Sequence, residues 1–70
     1  MTYKEFIENI NTINECLKLM QIDFIFAVQK TKYRKWNIAA IFPTNEAVSI
    51  CRNKSMSAAY NEVAKLAASF

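Results

Sequence analysis

The chain has 70 residues, a net charge of +3 and 53% hydrophobic residues, but no glycine, one proline and no histidine. That length allows one domain, and the hydrophobic content excludes disorder. The longest apolar runs, Phe24 to Val28 and Ile38 to Phe42, fall far short of the ~18 residues a membrane helix needs.

Residues 2–20 are predicted to form a helix. Thr2-Tyr3-Lys4-Glu5 fits a capping box, in which Thr2 and Glu5 each satisfy a free backbone N–H of the other. Tyr3, Phe6, Ile7, Ile10, Ile13, Leu17 and Met20 then recur mostly at steps of three and four, the period of one helix face. Residues 22–30 alternate as a strand, with Ile22, Phe24, Phe26 and Val28 on one face and Asp23, Ile25, Ala27 and Gln29 on the other. Residues 35–42 form a second strand, with Trp36, Ile38, Ala40 and Phe42 opposite Asn37, Ala39 and Ile41. The short link from Thr31 to Arg34 makes the pair an antiparallel hairpin. With no glycine in that link, a longer type I loop is expected rather than the Asn-Gly turn.

Pro43 to Glu46 reads as a turn. Residues 47–52 alternate weakly and are assigned to a third strand, the competing assignment being the start of the last helix. The polar break Arg52-Asn53-Lys54-Ser55 argues against one continuous helix. Residues 56–70 form the second helix, capped by Ser55 or Ser57, with Met56, Ala59, Tyr60, Val63, Ala67 and Phe70 as its apolar stripe. The fold class is α+β, a two-layer α-β-β-β-α single domain over residues 1–70, with a small antiparallel sheet packed by an N-terminal and a C-terminal helix.

Catalytic and metal chemistry finds no constellation. Without histidine there is no ordinary general base near neutral pH and no Ser/His or Cys/His pair. Cys16 and Cys51 alone cannot complete a four-ligand zinc site. Both sit among apolar residues and are expected to be buried thiols, a disulfide being the lesser reading. No enzyme activity, cofactor or metal is expected. Glu5 and Glu8 break the basic-then-apolar order of a signal peptide. The expected location is therefore cytoplasmic, and the Met start fits a complete small open reading frame.

Two surfaces remain. If the helices cover the face bearing Phe24, Phe26, Trp36, Ile38, Phe42, Val48 and Ile50, the other face carries Ile25, Ala27, Ala39, Ile41, Ala47 and Cys51. An open antiparallel face should be polar, so either a helix lies on each face or Ile25, Ala27, Ala39 and Ile41 form an apolar interface with a second copy or a partner. Charge is concentrated at the hairpin tip, where Lys30, Lys32, Arg34 and Lys35 surround Tyr33. Arg52 and Lys54 stand near the start of the last helix. These residues can hold phosphates and stack bases, dock an acidic protein surface, or form a solvated turn.

The element order, with Lys54 and nearby Arg52 before an alanine-rich last helix, resembles the double-stranded RNA-binding domain in topology. The resemblance implies RNA contact at the start of that helix. The family's lysine cluster there is reduced to Lys54, and its glycine- and histidine-containing first hairpin loop has no counterpart. The primary expectation is a small protein-binding module, an inhibitor or adaptor. Its size and its use of asparagine, isoleucine and lysine fit a phage or mobile-element product acting on a host protein or nucleoprotein complex. The alternative is a nucleic-acid-binding protein.

Overall fold

The structure is a computed structural model that describes residues 1–70. It has α1 (Tyr3–Leu19), β1 (Ile25–Lys32), β2 (Lys35–Ile41), β3 (Ala47–Lys54) and α2 (Met56–Ala67). The strands form one antiparallel sheet in the order β1-β2-β3. The α+β architecture is the expected one, with residues 47–54 a strand.

Both helices start where the sequence places them. Glu5 N–H donates to Thr2 Oγ1 at 3.2 Å, and Thr2 N–H donates to Glu5 Oε1 at 3.0 Å, which completes the capping box. Ser55, not Ser57, caps α2 by accepting from Ala58 N–H at 3.2 Å. α1 ends in a Schellman motif, with Ile22 N–H bonded to Leu17 O and Gln21 N–H to Lys18 O. The position that glycine usually fills in this motif is held by Gln21 at φ 60°. A chain without glycine must use other residues wherever φ is positive. It does so at Gln21, Arg34, Asn45 and Asn53.

Both helices pack on the same face of the sheet. One core joins Phe6, Ile10 and Leu17 of α1, Ala59 and Val63 of α2, and Phe26, Trp36, Ile38, Ala40 and Cys51 of the strands. Far from the hairpin tip, Phe24 packs against Phe26, Phe42 and Phe70 with ring centroids 5.3–5.6 Å apart. A helix on each face is thereby excluded.

Several expectations are corrected. Cys51 faces the helices, not the open side. Ala39 pairs with Ser49 while Ile38 pairs with Cys51, so Ile50 is an extra residue. This bulge inverts the alternation, burying Cys51 and packing Ile50 against the core. Val48, assigned to the core, is 49% exposed on the edge strand. Cys16, expected to be buried, is exposed, and both thiols are free. Burial pushes the Cys51 thiol above its ordinary value. The hairpin tip is tighter than a long loop, with Lys32 paired to Lys35 across Tyr33 and Arg34.

Candidate functional site

The meander decides which side chains meet. β1 runs toward the hairpin tip, β2 away from it and β3 toward it again. A helix that ends before β1 and a helix that begins after β3 therefore both start at the tip end. That places Tyr3, the first residue of α1, and Met56, the first residue of α2, beside the basic hairpin.

A groove of about 490 Å³ opens there. It is lined by Val28, Lys30 and Trp36 of the strands, Tyr33 and Arg34 of the tip, and Tyr3 and Met56 from the helices. Tyr3 stacks on Trp36 with ring centroids 5.2 Å apart and planes 25° from parallel. Phe6 backs the indole at 5.5 Å. Lys30 Nζ stands 6.0 Å from the Trp36 ring centroid, and the Arg34 guanidinium lies 5.1 Å over Tyr33. The Trp36 Nε1–H is buried and has no hydrogen-bond partner, an arrangement a folded core rarely tolerates.

The electrostatics have one sign. No lining residue is acidic. A second, smaller depression continues past Arg34 to Met1, Ser55 and Ser57 at the start of α2. The first turn of α2 carries no carboxylate to balance its N-terminal dipole. The α1 end is balanced by Glu5, whose carboxyl is held below its ordinary value by the backbone N–H and hydroxyl of Thr2.

The basic residues singled out from sequence divide into groups. Lys30, Tyr33 and Arg34 line the groove. Lys32 and Lys35 face each other across the turn, exposed and outside it. Arg52 is turned toward the open face, its Nε–H donating to Ser49 Oγ at 3.2 Å, and Lys54 pairs with Trp36 at the end of β3. The start of α2 therefore presents no lysine cluster. Tyr3, Trp36 and Met56 were read only as stripe or core residues, and they complete the groove.

The apolar set lies together on the open face. Ile25 pairs with Ile41 and Ala27 with Ala39. Ile25 is 52% exposed, Ala27 is exposed, and Ala39 and Ile41 are half-buried with no element above them. Toward the tip the same face turns polar. Asn53 N–H donates to Asn37 Oδ1, and the Thr31 hydroxyl donates to Asn53 Oδ1, both at 2.9 Å.

No protein-family model, curated protein or solved structure matches the chain. No helix is long and apolar enough to cross a membrane.

Proposed function

We propose that this protein is a small non-enzymatic binding module, an inhibitor or adaptor, that docks an acidic surface of a partner protein. One observation carries the reading: Lys30 and Arg34 flank a groove built from Tyr3, Tyr33 and Trp36 that contains no carboxylate. Cations beside apolar rings suit a ligand that is both negative and partly apolar. The charges raise on-rate and selectivity, while the aromatic surfaces supply contact area at little entropic cost. Ile25 and Ile41 on the open face add apolar contact to the partner or to a second copy.

A nucleic-acid reading has one specific support. The Tyr33 ring is 77% exposed with a guanidinium over it, a platform on which a base could stack. Affinity capture from lysate of the encoding organism, with and without nuclease, separates the two. Recovery of one protein under both treatments, lost in a Lys30→Gln/Arg34→Gln variant, supports protein docking. Recovery abolished by nuclease supports the alternative, and recovery indifferent to the two substitutions refutes the groove as the site.

A further inference from the structure

We propose that the partner segment binds as an added β-strand along the outer edge of β1 between Val28 and Lys30, with acidic side chains directed to Lys30 and Arg34. The proposal rests on the groove reading above and specifies the form of its ligand.

Asn14 of α1 stands at the outer edge of β1. Its side-chain amide accepts from Phe26 N–H at 2.8 Å and donates to Phe26 O at 3.0 Å. A single side chain from α1 thus does for Phe26 what a neighbouring strand would do. Phe26 must therefore direct both backbone groups away from β2. Antiparallel pairs alternate between bonded and non-bonded partners, so Val28 and Lys30 direct their N–H and C=O outward as well. No side chain repeats the service of Asn14 at either residue. α1 explains the difference. Its first residue stacks on Trp36 near the tip and its Asn14 meets the edge at Phe26, so Phe26 is closed while Val28 and Lys30 have no such partner.

The other edge of the sheet is unsuited to pairing. β3 has a bulge at Ile50 and a second register shift between its pairs with Ile38 and Trp36, where Asn53 takes φ 52°. Such irregularities protect an edge from added strands. On β1 the free stretch ends at the register shift after Lys30. Val28 and Lys30, whose backbone groups are open, are also groove residues. A strand added there lies beside Tyr3 and Trp36, and its alternate side chains reach the groove.

Charge selects the occupant. Lys30 and Arg34 line the groove and Lys32 stands next to it on the tip, with no acidic lining residue. A second copy of β1 fits poorly. That strand carries Lys30 and Lys32 and no carboxylate, so it would bring more positive charge to a groove that already holds Lys30 and Arg34. An extended segment alternating acidic and apolar residues meets both the edge and the groove.

The probe is an alternating Glu-Val peptide of about ten residues, long enough to span the free edge, with a copy N-methylated on alternate residues. Amide exchange of the isotope-labelled protein is followed by NMR. The expected result is saturable binding that protects the Val28 and Lys30 amides, with affinity reduced about tenfold or more by N-methylation, which removes backbone donors without changing charge. Val28→Pro, which deletes an outward N–H at an edge position, should lose the unmethylated peptide. Should that variant not fold, the methylated peptide gives the same test on the unchanged protein. Equal binding of the two peptides overturns strand addition and leaves the cationic groove standing. No binding of either peptide also overturns it, as does protection of Val28 and Lys30 in the free protein together with a dimer mass. Loss of partner capture in Lys30→Gln/Arg34→Gln is read separately and bears on the groove alone.

Discussion

Arg34 belongs both to the hairpin turn and to the proposed docking groove, so replacing it with alanine and with glycine should separate the two. At φ 58° its backbone is left-handed, a conformation that costs an L-residue about 1–2 kcal/mol and glycine almost none. Glycine's greater freedom in the unfolded chain returns about 0.5–1 kcal/mol of that difference. Both variants lose the guanidinium over Tyr33, worth about 0.5 kcal/mol at an exposed site. At the midpoints of those ranges Arg34→Gly should exceed Arg34→Ala in stability by about 0.75 kcal/mol, a Tm difference of about 3–6 °C for a domain of this size. Circular dichroism during heating and urea titration measures it. In partner capture the two variants should fail equally. An Ala variant as stable as the Gly variant would refute the strain argument. A Gly variant that still captures the partner at wild-type level would remove Arg34 from the site.

The other predictions concern the supports of the site. Asn14→Ala leaves Phe26 N–H and C=O without their partner and should cost about 1–3 kcal/mol in urea denaturation, with the Phe26 amide losing its exchange protection; unchanged stability would deny Asn14 its role at the edge. Glu5 is held below its ordinary 4.5, so the stability it contributes is present above about pH 4.5 and is lost as pH falls through the lower folded value. Glu5→Gln should flatten that acid limb, and an identical pH profile in the variant would contradict the capping account. Cys16 should react with a thiol reagent in the native protein while Cys51 reacts only on unfolding, because burial both covers Cys51 and raises its pKa; two equally fast thiols would contradict the β3 register.

The elements were legible because their signals are local. The three-and-four spacing from Phe6 to Leu17, the Thr2–Glu5 box and the alternation of β1 and β2 need only neighbouring residues. Cys51 was misplaced because strict alternation was carried through β3, and nothing local at Ser49-Ile50 announces a bulge. Cys16 was misjudged by residue type, although it stands beside the charged Glu15 and off the apolar stripe. The basic half of the groove was visible in the run from Lys30 to Lys35. Its aromatic half was not, since Tyr3 and Trp36 carry the same pattern as core residues. One signal was available: three antiparallel strands between two helices require both helices to start at the first hairpin's tip. That parity brings the residues just after the Thr2 and Ser55 caps to the basic turn.

Whether the tip-end groove meets a protein is read out by a photo-reactive phenylalanine analogue placed at Tyr33, an exposed lining residue of the groove. After irradiation in nuclease-treated lysate of the encoding organism, the account predicts a cross-link to one protein through an acidic segment, abolished by Lys30→Gln/Arg34→Gln. Cross-links to nucleic acid in untreated lysate, with none to protein, would contradict it.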